Sequence, residues 1–376
     1  MIKVSKGCLG EEELAAVREA FEYGYFGLAS KVIEFEEALK NYLGAKHVIA
    51  TNTGTAALHL ALDALGVGEG DEVIVPSLTF VASFQAIKAT GATPVPCDVE
   101  YDTLLMDLND MERRITPKTK VLMPVHYAGN PCNMEALLEI KERYKLRVVE
   151  DAAHAFGSIT SKGQKIGSFG DITCFSFDSI KNITCGEGGA VVCQEEALAE
   201  LIRQKRLLGI NRKSNSTAPW RERSWQFEVT TQGFRYHMSN INAAIGIEQL
   251  KKLDGFIARR REICQKYEEA FKNISGLQRL RINYHECAPH IYVIRVKDGR
   301  RNALMQFLKD RHIETGINYI PNHLHPYFRV DGLTLPVAEK AYEEILTLPL
   351  HCGLSDDEVQ EVIRCVKQFF EECQEV

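Results

Sequence analysis

Short apolar segments that suit β-strands alternate with helical segments through the first half of the chain. Residues 73–75 and 121–125 are apolar, residues 146–150 contain Leu146, Val148 and Val149, and helix-like segments lie between these runs. This alternation is typical of an α/β domain whose sheet is mostly parallel and lies between helices. In such sheets functional residues cluster at the carboxyl ends of the strands. We therefore expect the functional residues just beyond these strands.

The length of the chain suits two domains, because its 376 residues exceed the roughly 100–200 residues of an average domain. We expect a large α/β domain over residues 1–249, which starts with a helical segment. A smaller C-terminal α+β domain is predicted over residues 250–376. It should contain a strand near 291–294 and helices over 301–311 and 355–370.

An amphipathic helix is predicted near the N-terminus, over residues 11–25. Leu14, Val17, Ala20 and Phe21 recur at helical spacing and form its apolar face. A second helix is predicted over residues 32–43, where Gly44 ends it.

Composition and charge exclude several classes of protein. Apolar residues make up 45% and charged residues 26% of the chain, as in soluble globular proteins. The net charge is −6 without a block of like charge, which argues against a nucleic-acid partner. No apolar run reaches the roughly 18 residues of a membrane helix, and residues 1–6 lack the apolar segment of a signal peptide. We therefore predict a cytoplasmic protein without a membrane partner.

The eleven cysteines are scattered and form no C-x-x-C motif. An odd number without framework spacing indicates free thiols in a reducing compartment. We expect them to fill the core as small apolar residues. No metal site is predicted.

Lys181 is the first candidate for chemistry. It follows the apolar segment 172–177 and precedes the turn Gly-Glu-Gly-Gly at 186–189. A lysine in a crevice there would have a pKa lowered by burial, and its amine could form a Schiff base with an aldehyde. The alternative is an ordinary surface charge, and the spacing alone does not decide between them.

Asp151 directly follows the predicted strand 146–150. It could cap a following helix, or it could hold a pyridinium nitrogen in its protonated form. Lys181 downstream, also at a strand end, favours the second use. Pyridoxal 5′-phosphate (PLP) needs both a lysine amine and such a carboxylate, so PLP is the predicted cofactor.

Further residues suit the phosphate and the ring of PLP. Gly54, Thr55 and Ser176 lie in turns that could present backbone N–H groups and hydroxyls to an anion. Phe80 and His154 are candidates to sandwich the pyridine ring, although core packing is the ordinary use of either residue taken alone.

Four segments resemble the sugar aminotransferases of the DegT/DnrJ/EryC1/StrS family, which are PLP enzymes of fold type I. They are 51–60, 150–158, 175–189 and 233–250, and the resemblance extends over nearly the whole chain. The combination of Asp-Ala-Ala-His at 151–154, Ser-Phe-x-x-x-Lys at 176–181 and Gly-Glu-Gly-Gly at 186–189 is highly specific. The resemblance implies a large domain with a mostly parallel mixed sheet and a smaller C-terminal domain.

The resemblance also implies roles for individual residues. Lys181 would bind PLP covalently and Asp151 would pair with its ring nitrogen. Ser176, Gly54 and Thr55 would hold the phosphate, with Phe80 against one face of the ring and His154 against the other. Such enzymes are homodimers with active sites at the interface, and they transfer an amino group from L-glutamate to a ketone on a nucleotide-linked sugar.

Three departures from the family pattern stand out. Asp178 occupies a position where many members have His, and His237 stands where Arg is usual. Arg235 replaces an Asn that reaches the PLP phosphate of the neighbouring subunit. Because an arginine can hold a phosphate with two charge-assisted hydrogen bonds, we predict that Arg235 binds this phosphate.

The sequence thus predicts a PLP-dependent aminotransferase, with a dTDP-4-keto-6-deoxyhexose as preferred substrate, for O-antigen or other glycan or antibiotic sugars. The loops 23–31, 212–225 and 318–327 are predicted to form the sugar site. One alternative is a sugar 3-dehydratase of the same fold, although that chemistry goes with His at the position of Lys181. The other is a PLP-binding regulatory protein without turnover.

Overall fold

The computed structural model describes residues 1–211 and 227–372. A seven-stranded sheet with the order β1-β7-β6-β5-β4-β2-β3 forms the centre of the larger part. Its strands are β1 (His47–Thr51), β2 (Glu72–Pro76), β3 (Thr93–Cys97), β4 (Thr119–Leu122), β5 (Arg147–Asp151), β6 (Ile172–Ser176) and β7 (Gly189–Cys193). Within this sheet only β7 runs antiparallel to its neighbours. The prediction of a mostly parallel sheet is therefore confirmed.

Helices cover both faces of this sheet because its strands carry apolar side chains on both sides. They are α1 (Glu11–Tyr23), α2 (Ser30–Leu43), α3 (Gly54–Ala64), α4 (Val81–Ala89), α5 (Leu108–Arg113), α6 (Met134–Tyr144) and α7 (Glu196–Arg206). On β2, Val73 and Val75 pack with α3, α4 and α7 on one face. Ile74 points to the other face and packs with α5 and α6. The continuous apolar runs seen in the sequence follow from this two-sided burial.

Two prolines explain which strand lies at the edge of the sheet. β3 contains Pro94 and Pro96, and proline lacks the N–H that a central strand needs for both of its neighbours. β3 is accordingly the last strand in the order and pairs only with β2 in this sheet.

A second, smaller sheet lies in the C-terminal part of the chain. The long helix α8 (Asn240–Phe271) leads into it, and it follows the antiparallel pair of two-residue strands β8 (Ile210–Asn211) and β9 (Glu228–Val229). The antiparallel strands are β10 (Leu277–Arg279), β11 (Tyr292–Val296) and β12 (Ile345–Leu348). They share a core with α9 (Arg301–Asp310) and α11 (Asp356–Glu372), while α10 (Pro336–Glu344) precedes β12.

This C-terminal arrangement agrees with the strand and the two helices predicted there. The strand expected near 291–294 is β11, and the two expected helices are α9 and α11. Helix α8 runs without interruption through residue 250, so the boundary between the two domains stays a prediction.

The predicted apolar face of α1 is confirmed for Ala20 and wrong for Leu14 and Phe21. Leu14 is 59% exposed and Phe21 is 57% exposed, whereas Ala16 and Ala20 are buried against Ala244 of α8. The physical reason is the close approach of the two helices, which small side chains permit. The larger apolar residues Leu14 and Phe21 of α1 therefore lie on the surface of the chain.

The cysteine prediction is wrong for one pair. Cys8 and Cys352 form a disulfide across 344 residues of sequence. Their Cα atoms are 6.6 Å apart, within the usual range of about 4.4–6.8 Å, because the N-terminal segment lies beside the residues that follow β12. The other eight cysteines in the described ranges are free and buried, as the core-filling interpretation predicted.

Within residues 1–211 and 227–372, no helix is both long and apolar enough to cross a membrane.

Candidate active site

The residues singled out from the sequence meet at the carboxyl edge of the large sheet. Thr51 ends β1, Asp151 ends β5 and Ser176 ends β6. Gly189, which opens the antiparallel strand β7, lies opposite both Thr51 and Ser176. The strand register thus places the phosphate, ring and lysine candidates at one end of the molecule, as the α/β pattern predicts.

The N-terminus of α3 lies directly against Ser176. Thr53 caps this helix, and its hydroxyl oxygen accepts a hydrogen bond from the Ala56 N–H at 3.0 Å. A Cβ atom at Gly54 would lie 2.8 Å from the Cβ of Ser176, so only glycine lets the helix begin this close to β6. Thr55 is exposed in the same turn. Free N–H groups and hydroxyls at a helix N-terminus favour an anion.

Asp151 is buried and held by two hydrogen bonds. Its Oδ2 accepts from the Ser83 hydroxyl at 2.6 Å, and its Oδ1 accepts from the Ala153 N–H at 3.1 Å. Turns follow Asp151 rather than a helix, so the alternative use as a helix cap is not seen. The carboxylate is fixed in orientation and suited to an ion pair with a cationic ring.

Lys181 lies in the loop between β6 and β7, and its N–H donates to the Asp178 carbonyl at 3.1 Å. Burial lowers the pKa of Lys181, and the carboxylates of Asp178 and Asp151 oppose this shift only in part. A larger fraction of its amine is therefore neutral near pH 7 than for a surface lysine. The neutral amine is the nucleophilic form.

The lowered pKa of Lys181 predicts its reactivity in the cofactor-free protein. Acetic anhydride acylates only the neutral amine, which appears as the pH rises through the pKa. Lys181 should therefore reach half-maximal acylation at a lower pH than the value near 10.4 expected of an exposed lysine. Peptide mass spectrometry across a pH series measures this, with exposed lysines in the same digest as the reference. Asp178→Asn should move the Lys181 midpoint lower still, and a midpoint that rises would contradict the assignment of Asp178.

His154 is buried beside this loop, and hydrogen bonds on both ring nitrogens fix its orientation. The Ala128 N–H donates to Nδ1 at 3.3 Å, and Nε2 lies 3.0 Å from the Tyr319 hydroxyl. Because Nδ1 accepts, the proton of the neutral ring belongs on Nε2. Burial and the charge of Lys181 hold the pKa of His154 well below its usual range, so the imidazole is neutral at physiological pH.

Phe80 is largely exposed and packs against Tyr319. It precedes α4 and is 54% exposed, and its ring centroid lies 5.5 Å from that of Tyr319. The Tyr319 ring in turn lies 6.0 Å from His154. The two predicted ring partners are thus connected through a tyrosine from the predicted loop 318–327.

Comparison with known proteins gives the family. The model of the DegT/DnrJ/EryC1/StrS aminotransferase family matches residues 7–367. The chain belongs to this family.

Several relatives show how far the similarity extends. The chain is 40% identical to the spore coat polysaccharide biosynthesis protein SpsC of Bacillus subtilis, over 96% of this chain and 94% of SpsC. The aminotransferase TlmJ of Streptoalloteichus hindustanus is 36% identical, with a TM-score of 0.92 and full coverage (100%) of both chains. The putative sugar aminotransferase Spr1654 of Streptococcus pneumoniae, in its PMP-form, is 32% identical with a TM-score of 0.93, over 99% of this chain and 100% of Spr1654.

These comparisons confirm three predictions made from the sequence. The family is the one that the motifs resemble, and the fold matches solved sugar aminotransferases. Structures of Spr1654 in a PLP-form and a PMP-form confirm the predicted class of cofactor.

Some residues of this aminotransferase site were missed in the sequence. Ser83 lies one turn after Phe80 on α4, where a serine carries no specific signal. His290 is buried with its ring centroid 4.4 Å from that of His154. Burial and the charge of Lys181 hold the pKa of His290 well below its usual range.

Arg260 was also missed, because it lies in a charged helix whose pattern indicates a solvent-exposed face. In the structure Arg260 is buried and donates to Asn182 Oδ1 at 2.5 Å and to the Pro289 carbonyl at 3.4 Å. Burial lowers the pKa of Arg260 to about 10. The Arg260 guanidinium therefore connects Asn182, the residue after Lys181, with the segment that contains His290.

Arg235 has an exposed side chain in this family member. Its backbone pairs with Leu207, and the next residue, Tyr236, accepts a hydrogen bond from the Asn52 N–H at 2.8 Å. The segment therefore lies against the residues that lead into the α3 turn of its own chain. The predicted sugar-site loop 212–225 lies outside the described residues.

Proposed function

We propose that this protein transfers the amino group of L-glutamate to a keto-deoxy sugar linked to a nucleotide, with PLP as its cofactor. The preferred substrate is a dTDP-4-keto-6-deoxyhexose. The observation that supports this most strongly is the meeting of Lys181 with the buried, oriented Asp151 at one edge of the sheet. The description of SpsC as a polysaccharide biosynthesis protein supports a role in making sugars for O-antigen or another glycan, or for an antibiotic.

The residues present fit PLP at each of its functional groups. Asp151 would pair with the ring nitrogen, since Ser83 and Ala153 hold its carboxylate in place. Ser176, Gly54 and Thr55 would hold the phosphate at the N-terminus of α3. Phe80 and His154 would bound the ring on its two sides. Because the His154 imidazole is neutral, it would add no positive charge next to the ring nitrogen that pairs with Asp151.

Lys181 would act as the general base and acid of the transfer. Bound PLP supplies an electron sink and carries the amino group between the two substrates. Lys181 Nζ, kept partly neutral by burial, accepts a proton from the amino donor and returns it at a later point. The hydrogen bond between His154 Nε2 and the Tyr319 hydroxyl fixes the orientation of both side chains.

A screen of keto sugars tests the proposed reaction. The enzyme is first converted to its aminated form with L-glutamate and freed of donor. Loss of the aminated-cofactor absorbance is then followed after addition of dTDP-, UDP- or GDP-linked keto sugars. Rapid loss with one sugar, and an amino sugar as product, is the expected result. A dehydrated sugar without an amino group would favour the 3-dehydratase, and no turnover with any donor or acceptor would favour a regulatory protein.

A homodimer with its active sites at the interface is part of this proposal. The exposed apolar side chains Leu14 and Phe21 on α1, together with Phe26 and Val229, give the protomer a surface that a second copy could cover. In such a dimer the exposed Arg235 of one protomer would reach the PLP phosphate of the other.

Arg235→Ala is expected to weaken PLP binding by about 1.5–3 kcal/mol, the value typical of a hydrogen bond to a charged group. The dimer should persist, because the apolar contacts do not depend on this side chain. Titration of the apo variant with PLP measures the affinity, and sedimentation measures the assembly. Arg281→Ala, which removes another exposed arginine, is the matched control. PLP affinity equal to wild type would assign Arg235 to the surface instead.

A further inference from the structure

We propose that Cys8 and Cys352 form a reversible thiol–disulfide exchange site for small thiols, and that its redox state controls how firmly the N-terminal segment holds the loop carrying Lys181. The disulfide, its accessibility and its contacts with this loop carry the proposal. It does not depend on the identity of the sugar substrate.

The pair is accessible, whereas the other cysteines of residues 1–211 and 227–372 are not. Cys8 and Cys352 are both half-buried and line an open depression of about 620 Å³. The eight other cysteines in the described part of the chain are buried. A small thiol in solution can therefore reach this pair without unfolding of the protein.

The depression does not select thiols by charge. Its basic residues are paired with carboxylates, since Lys252 lies 2.7 Å from Glu13 and Arg259 lies 2.8 Å from Asp356. Phe256 adds an apolar wall. We therefore expect the site to react with low-molecular-weight thiols and disulfides whatever their charge, and glutathione is a suitable probe.

A base lies next to the pair. His351 is buried, and a Cβ atom at Gly353 would lie 3.4 Å from its Nδ1 and 3.6 Å from Cys8 Sγ. The imidazole and the sulfur therefore border the same small space. Burial lowers the pKa of His351, so the ring is neutral and a ring nitrogen can accept a hydrogen bond from a thiol.

The N-terminal segment contacts the Lys181 loop on both sides of the lysine. Before it, a Cβ atom at Gly7 would lie 2.9 Å from the Ser179 carbonyl oxygen. After it, Gln249 connects the two segments: its Nε2 donates to the Cys8 carbonyl at 2.8 Å, and its Oε1 accepts from the Thr184 N–H at 3.3 Å. The disulfide fixes residue 8 to residue 352, so it holds these contacts in place.

The exchange balances without a bound cofactor. The thiolate of one small thiol attacks a sulfur of the pair, the protein S–S bond breaks, and the released sulfur takes a proton. A second small thiol then attacks the mixed disulfide and leaves with the first as a small disulfide. The protein pair gains two electrons and two protons, and an excess of small disulfide reverses both steps.

The test uses the full-length holoenzyme in buffers of reduced and oxidised glutathione. After equilibration, free thiols are alkylated and the peptides are analysed without reduction. We expect a cross-linked peptide of Cys8 and Cys352 that disappears in reduced buffer and returns in oxidised buffer, while the buried cysteines stay unmodified. Hydrogen–deuterium exchange of residues 178–184 should be several-fold faster in the reduced protein.

The double variant Cys8→Ser/Cys352→Ser is the control, and its exchange at 178–184 should match reduced wild type in both buffers. The wild-type comparison stands alone if this variant folds poorly, because it needs no substitution. Absence of the cross-linked peptide in oxidised buffer would overturn the proposal. So would a cross-link that forms without any change in exchange at 178–184.

Discussion

Replacing Lys181 with alanine is expected to lower turnover by at least about 10²–10⁴-fold, the contribution of a positioned acid–base group. The variant should also lose the visible absorbance that a lysine–PLP adduct gives. The reason is structural, since Lys181 is the amine that burial keeps partly neutral at the carboxyl edge, close enough to Asp151 for the two charges to interact. A truncated side chain leaves neither the nucleophile nor the proton carrier.

Absorbance of the PLP-loaded variant and its rate with L-glutamate measure both effects. Lys181→Arg keeps a positive charge but not a neutral amine at neutral pH, so it should lose turnover as fully as the alanine variant. Lys118→Ala, at an exposed position, controls for the loss of a lysine and should keep full turnover. A wild-type rate in Lys181→Ala would remove this residue from the mechanism.

Local patterns in the sequence predict the large sheet well because its strands are buried on both faces. Continuous apolar runs such as 73–75 therefore mark strands directly, and the residues that follow them fall at one edge. The buried face of α1 is harder to predict than the strands. The pattern shows that Leu14 and Phe21 are apolar, but it does not show whether another element packs against them. Close contact with α8 buries Ala20 of that face together with Ala16, which lies outside it.

Patterns in the sequence do not predict contacts between distant parts of the chain. Asp151 could be proposed from its place after a strand, but Ser83, which orients it, lies 68 residues earlier on α4. His290 comes from the C-terminal part and belongs to no motif used in the prediction. Tyr319 lies in the predicted loop 318–327, but its hydrogen bond with His154 could not be predicted from the sequence. The same holds for Cys8 and Cys352, because spacing in sequence carries no information about a pairing made by the tertiary fold.

Asp151→Asn is expected to retain PLP but to lose about 10²–10³ in turnover, the size of effect seen when one preorganised electrostatic contact is removed. Asparagine has nearly the same shape: its Oδ1 can still accept from the Ala153 N–H, and its NH2 group can donate to the Ser83 hydroxyl oxygen, which reverses that hydrogen bond. The negative charge that would keep the ring nitrogen protonated is lost, however. PLP titration and the rate of the glutamate half-reaction separate retention of the cofactor from loss of chemistry.

Ser83→Ala separates the charge of Asp151 from its orientation. This variant keeps the carboxylate and the hydrogen bond from the Ala153 N–H, but removes the Ser83 hydroxyl that fixes Oδ2. If the charge matters most, the loss of turnover in Ser83→Ala should be much smaller than in Asp151→Asn. The free energy of unfolding, measured with urea for both variants, shows whether either loss comes from the fold. A variant Asp151→Asn that is strongly destabilised, yet fully active per folded molecule, would assign Asp151 to the structure of the turn and not to the reaction.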